Sequence, residues 1–236
     1  ELQWIQYQLD NCANVAEVIA TDKKIRISRA GAPLHYLVAD ASGKAATIEF
    51  IDGKMVVHQG TDLTYPVLTN TVYKEALGQV KEQKDSKASF KSSSVERFST
   101  ACRMLQQFQA NDIKEEPVDY AFNILNKVSQ KGYTKWSIVY DITNKQVHFI
   151  ANGLNQRKYF SLRDFDYSCN LSPLAFSLSD KRSGGIAKQF TELSYDQNRK
   201  LIEQSYEESS KEVQVPATHQ ARAAAYFRQV SCRQTN

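Results

Sequence analysis

The chain has 236 residues, 42% hydrophobic and 24% charged, with twelve Tyr and eleven Phe. This is the make-up of a folded globular protein and argues against a disordered one. A net charge of +4, from 30 basic and 26 acidic residues spread along the sequence, gives no ground for a nucleic-acid partner, and no RNA- or DNA-reading motif stands out. No apolar run approaches a membrane span, and no basic-then-apolar leader opens the sequence.

Leu2, Ile5, Leu9, Ala13, Val15 and Ile19 fall near helical spacing and predict an opening helix. A β-rich block follows. Ile25 to Ser28 is a short strand candidate and His35 to Ala39 another. Ala46 to Ile51 and Lys54 to His58 flank Asp52–Gly53, a strong two-residue hairpin signal. These strands read as an antiparallel meander, with Pro66 to Asn70 as a further extended piece. Helices are expected over Val72 to Val80, from Ser94 onward with Phe98, Cys102, Leu105 and Phe108 on one face, and from Pro117 with Tyr120, Ile124, Leu125 and Val128 as its stripe. Lys81 to Ser94 reads as an exposed loop.

A second β block runs through Trp136 to Asp141, Val147 to Ile150 and Arg157 to Leu162. Ser183–Gly184–Gly185 reads as a loop, and two polar helices are expected near Asp196 to Ser209 and Thr218 to Val230. Segregated sheets and helices predict an α+β fold, with two antiparallel sheets stacked between helix layers, taken as a single domain over residues 1–236.

The four histidines, His35, His58, His148 and His219, show no ligand spacing, and HExxH is absent. His35 and His148 sit in apolar strands, where hydrogen-bonded structural roles are expected. There is no GxSxG elbow, P-loop or GxGxxG. Asp40 and Glu49 could form an acid–base pair, but acids in turns and strands more often have structural roles. Cys12, Cys102, Cys169 and Cys232 lack CxxC spacing. They read as buried or half-exposed thiols, with one disulfide possible in an exported protein.

Four segments, in this order, resemble the choloylglycine hydrolase family. They are Gln3–Trp4–Ile5–Gln6–Tyr7–Gln8–Leu9–Asp10–Asn11 with Val15–Ala16–Glu17–Val18, then His35 to Gly43 leading to Ile48–Glu49–Phe50 and Gly53. Val67–Leu68–Thr69–Asn70 comes next, followed by Ser94–Val95–Glu96–Arg97–Phe98 with Trp136 to Asp141. The resemblance implies a four-layer αββα N-terminal-nucleophile fold, of which this chain would be the C-terminal two-thirds, without the N-terminal strands. It also implies hydrolysis of a linear amide by a cysteine whose own α-amino group acts as base.

By that resemblance Asn70 donates its side-chain amide to the oxyanion, and Arg97 holds the thiolate and α-amine electrostatically. On residue type alone, Asn70 would be a turn residue and Arg97 a surface charge. The family's nucleophile, an arginine, an aspartate and a second asparagine belong upstream of the opening helix, so the chain alone is expected to be inactive. Cys12 is expected inside a helix and unable to substitute.

No metal or organic cofactor is implied. The expected partner is a small N-acyl amide: a conjugated bile acid, penicillin V, an N-acyl amine or an N-acyl homoserine lactone. A homo-oligomer is possible. The family often carries a proline soon after the asparagine, where this chain has Thr71–Val72–Tyr73, so bile salts are not assigned as substrate. The alternative is a binding or structural protein that retains the fold without the nucleophile. The resemblance favours a bacterial protein, periplasmic or secreted rather than cytoplasmic.

Overall fold

The computed structural model describes all residues except 1, 26, 28–33, 84–92, 110–113, 152, 170, 209, 211–213 and 230–236. The fold is α+β, in two compact units, residues 1–143 and 144–236.

The first unit opens with two helices where the apolar spacing predicts one: α1 (Leu2–Asn11) and α2 (Val15–Ala20). Asn14 causes the break. Its backbone is extended and its side chain accepts the Glu17 N–H at 3.0 Å. The Glu17 carboxylate in turn accepts Ala13 N–H at 2.7 Å and the Asn14 side-chain amide at 2.9 Å. A capping asparagine outcompetes helix continuation, so Cys12 lies in the link between the helices rather than inside one. The strand expected over Ile25 to Ser28 does not form at Ile25 or Ile27, and its other two residues lie outside the described set.

Strands β1 (His35–Ala39), β2 (Ala45–Ile51) and β3 (Lys54–Gln59) form the expected antiparallel meander. Asp52 and Gly53 both take positive φ, 51° and 74°, as a two-residue hairpin turn demands. At the other turn, Asp40 accepts from the Ser42 hydroxyl and the Ser42, Lys44 and Val15 N–H groups. The Ser42 hydroxyl, then the Val15 N–H, hold its carboxyl down to about 2. Asp40 is thus a turn-builder that also docks α2, not half of an acid–base pair.

Side chains alternate across the pleat. One face, through Tyr36 and Ile48, packs on Trp4 and Val18 of the two opening helices, with the Trp4 and Tyr36 rings 4.2 Å apart. The other face presents His35, Thr47, Glu49 and His58. Being central and covered on both faces, β2 is buried continuously from Ala46 to Glu49.

The polar face centres on Glu49, which is 2% exposed. His35 lies opposite it in register, with Nδ1 2.7 Å from Oε1. The Tyr73 N–H, at the start of α3 (Tyr73–Gln83), donates to both carboxylate oxygens at 3.1 and 3.2 Å. His58 Nδ1 is 3.9 Å from Oε2 and within 3.2 Å of the Thr47 hydroxyl.

Helix α4 (Ser93–Gln109) and α5 (Pro117–Lys127, with Pro at its first turn) complete a second core with α3. Tyr73, Ala76, Val80, Val95, Phe98 and Cys102 are buried there, with Ile124 and Val128 packed against them. The stripes read from the sequence do face inward. Helix α3 runs three residues past its expected end, and residues 84–92 of the expected Lys81 to Ser94 loop lie outside the described set. Strand β4 (Trp136–Asp141) ends the unit.

In the second unit, β5 (Gln146–Ala151) and β6 (Arg157–Ser161) pair antiparallel, with Phe149 opposite Lys158. Gly184 and Gly185, expected in a loop, form the short strand β8 parallel to β6; the others are β7 (Leu174–Ala175) and β9 (Thr191–Glu192), which pair with each other. Phe160, Phe165, Phe176 and Phe190 cluster with ring centroids 4.9–5.6 Å apart. Helix α6 (Tyr195–Glu208) packs beside α7 (Ala217–Ala225), and its Asn198 side chain donates to the Ala224 carbonyl in the last turn of α7 at 2.9 Å. α7 gives way at Tyr226 to a short 3-10 turn, before the Val230 end expected for this polar helix. Cys169 is disulfide-bonded, Cys12 and Cys102 are free, and Cys232 lies outside the described set. Among the described residues no helix is long and apolar enough to cross a membrane.

Two stability predictions follow from these cores. Phe98→Ala empties a site that is 0% exposed and should cost about 3–5 kcal/mol, read from the denaturant midpoint. Glu49→Leu strands the His35 and Tyr73 donors and should cost about 3–5 kcal/mol. Glu49→Gln, which keeps an acceptor for the Tyr73 N–H, should cost measurably less in the same titration.

Candidate functional site

The segment between β3 and α3, which includes the extended piece expected over Pro66 to Asn70, forms no ladder. Its polar groups are satisfied by helices instead. Tyr65 donates its N–H to the Tyr73 hydroxyl and accepts that hydroxyl's proton at its carbonyl, both at 3.1 Å. Further along, Thr69 and Thr71 bond to Ser94 in the first turn of α4. This lays Asn70 beside that turn.

The two residues singled out in the sequence, 27 positions apart, meet there. Arg97 Nη2 donates to Asn70 Oδ1 at 2.8 Å. Asn70 is exposed and Arg97 half-buried. With Oδ1 occupied by the guanidinium, the Asn70 amide is oriented and its Nδ2 hydrogens are directed away from Arg97. They reach no other described residue. Arg97 Nε is buried and has no hydrogen-bond partner among the described residues. Buried donors are normally paired, so this guanidinium keeps donor capacity in reserve. The arrangement offers a fixed cation, an oriented amide donor and two nearby helix N-termini, all favouring negative charge.

The three cysteines among the described residues are poorly suited to nucleophilic attack. Burial pushes the Cys102 thiol up to about 12. Burial, then the Glu17 carboxylate, raises that of Cys12, and Cys169 is committed to a disulfide. A thiol raised in this way carries almost no thiolate at neutral pH.

Sequence reasoning missed the convergence of His35 and His58 on Glu49. No local spacing encodes it; only the strand register does, by placing residue 35 opposite 49 and residue 58 opposite 47. Ser94 was also missed as a contact of the Asn70 loop. Its only signal was a serine one helical turn before the arginine. Among the described residues, no group of three or more His, Cys, Asp or Glu side chains is placed to hold a metal ion. An open depression of about 470 Å³, lined by His58, Tyr73, Leu77 and Lys81 among others, lies along α3 and includes neither Asn70 nor Arg97.

Comparison with known proteins bears on the fold and on the N-terminal part of the chain. Residues 1–82, which include Asn70 but not Arg97, match the family model of linear amide C–N hydrolases, choloylglycine hydrolase family. Penicillin V acylase of Pectobacterium atrosepticum is 38% identical over 77 residues, covering 29% of this chain and 20% of that protein. The structure of penicillin V acylase from Agrobacterium tumefaciens superposes with a TM-score of 0.64 at 25% identity, over 81% of this chain and 66% of that one. A variant of conjugated bile acid hydrolase from Clostridium perfringens shares the fold, with a TM-score of 0.54 at 16% identity, over 66% of this chain and 60% of that one. The α+β fold expected from the sequence is thus the fold of these hydrolases, and the chain spans no more than 66% of the length of the relatives it matches. Residues 1–82 are thus similar in sequence to the choloylglycine hydrolase family of linear amide C–N hydrolases, and the fold is similar to that of penicillin V acylase over 81% of this chain.

Proposed function

We propose that this chain supplies the oxyanion-stabilising part of a linear amide hydrolase. Asn70 donates its side-chain amide to the oxyanion of the tetrahedral intermediate, and Arg97 orients Asn70 and stabilises the attacking thiolate. The observation that carries this reading is the 2.8 Å bond from Arg97 Nη2 to Asn70 Oδ1. It fixes the Nδ2 donor in advance and polarises the amide, making its N–H groups stronger donors. A preorganised donor of this kind acts on the charge that develops in the transition state rather than on the ground state.

The nucleophile in this reading is a cysteine at a mature N-terminus, not present in this chain, whose α-amino group takes the thiol proton. The raised thiols of Cys12 and Cys102 support looking elsewhere for it, and the chain by itself is then inactive. The substrates are N-acyl amides with an apolar acyl part, such as penicillin V, conjugated bile acids or N-acyl amines. No metal or organic cofactor takes part. The Cys169 disulfide supports an exported protein, because such bonds persist in oxidising compartments.

The test is amine release from penicillin V and from glycine-conjugated bile acid by the protein as its gene encodes it. Asn70→Ala should lower kcat roughly a hundredfold, the usual loss of one oxyanion donor; unchanged turnover removes Asn70 from the mechanism. Arg97→Ala should lower the rate while far-ultraviolet circular dichroism stays native, and a wild-type rate removes Arg97. No amine release at all from the unmodified protein would favour the binding-protein alternative.

A further inference from the structure

Asn70 stands between two threonines, and one serine on the helix that carries Arg97 grips both. Ser94 Oγ accepts the Thr71 backbone N–H at 2.9 Å and the Thr71 hydroxyl at 2.9 Å. It donates its own proton to Thr69 Oγ1 at 3.1 Å, and the Thr69 hydroxyl donates to the Ser94 carbonyl at 3.1 Å. A serine hydroxyl has one donor and two acceptor positions. Here all three are used, on the residues immediately before and after Asn70, with Ser94 only 8% exposed. Ser94 and Arg97 are three residues apart on α4 and so share a helix face.

We infer that Ser94 is a positioning residue for Asn70: its hydroxyl fastens the Asn70 backbone to the turn of α4 that presents the Arg97 guanidinium, so that the Arg97–Asn70 bond forms and Nδ2 is aimed. The catalytic consequence rests on the reading of Asn70 as the oxyanion donor; the geometric claim does not. The segment has no ladder bonds to hold it otherwise. Its far end is pinned separately, where Glu49 accepts the Tyr73 N–H. Loss of the Ser94 hydroxyl would therefore free Asn70 without freeing α3.

Two measurements test this. The first needs no activity. In a ¹H–¹⁵N spectrum, the Asn70 side-chain amide pair, identified by its disappearance in Asn70→Asp, should move in Ser94→Ala to where Arg97→Ala places it. In Ser94→Thr, which keeps the hydroxyl, it should return toward its original place. An Asn70 pair unmoved in Ser94→Ala overturns the inference. Should Ser94→Ala fail to fold, Thr71→Val removes only one of the hydroxyl bonds and should move the pair in the same direction; an unmoved pair there has the same meaning.

The second is a kinetic cycle on the protein as its gene encodes it. Ser94→Ala should lower kcat about tenfold, as a misplaced group does, with KM within twofold of the original value. The same change in an Asn70→Ala background should cost nothing further. Losses that multiply across the two substitutions overturn Ser94 as acting through Asn70. An Asn70→Ala kcat at the original level instead sinks the oxyanion reading, and the spectral result then stands or falls alone.

Discussion

A carboxylate that is 2% exposed sets the frame for the first unit. Taking a charge out of water costs several kcal/mol unless donors surround it, and Glu49 gathers them from three directions in the sequence. His35 reaches it from the neighbouring strand at 2.7 Å, the Tyr73 N–H from the first turn of α3 at 3.1 Å, and the His58 ring flanks it at 3.9 Å. The helix N-terminus adds its own preference for negative charge. Slipping the sheet by one residue would turn Glu49 to the apolar face occupied by Tyr36, Ile48 and Trp4. One buried charge thus fixes both the register of the meander and the point at which α3 begins.

The placement of the candidate site follows from that starting point. Tyr73 is held by its N–H at Glu49 and by its hydroxyl at Tyr65, and its ring stands edge-on to Phe98 of α4 at 5.9 Å. The first turns of α3 and α4 are thereby brought side by side, and the short segment ending in Thr69–Asn70–Thr71 spans them. An irregular segment can present a side chain reliably only if its own polar groups are satisfied. Thr69 and Thr71 meet that condition through Ser94 and leave the Asn70 side chain to Arg97.

The fold was legible wherever a local pattern has one physical solution. The Asp52–Gly53 turn and the alternation around it specify a hairpin, and the Phe98, Cys102, Leu105 and Phe108 stripe specifies one buried helix face. Legibility failed where two local solutions compete or where the deciding partner is remote. Asn14 prefers to cap rather than to continue a helix. Gly184 and Gly185 form strand only because β6 lies beside them. Pro66 to Asn70 has strand-like composition, but its partners are helices. Asn70 and Arg97 were reached through family motifs, since residue type alone pointed to a turn and a surface charge. Ser94 and the threonines it binds are 23 and 25 residues apart, a spacing no periodicity reports.

The choice of side chains at the Asn70–Arg97 contact can be argued from their donor inventories. An aspartate at position 70 would pair more strongly with the guanidinium but would have no hydrogen to give an oxyanion, and would place a negative charge where negative charge must develop. Asparagine accepts through Oδ1 and still donates through Nδ2. A lysine at position 97 would meet Oδ1 as a hydrated point charge, whereas arginine spends one N–H of a rigid fork and keeps the others in fixed directions. The Nε of Arg97 is buried with no partner among the described residues, and its Nη2 is already engaged by Asn70. On the proposed reading, one permanent charge both aligns the neutral donor and offers a second edge to the thiolate, so that Asn70 and Arg97 act as a unit whose separate contributions would not add.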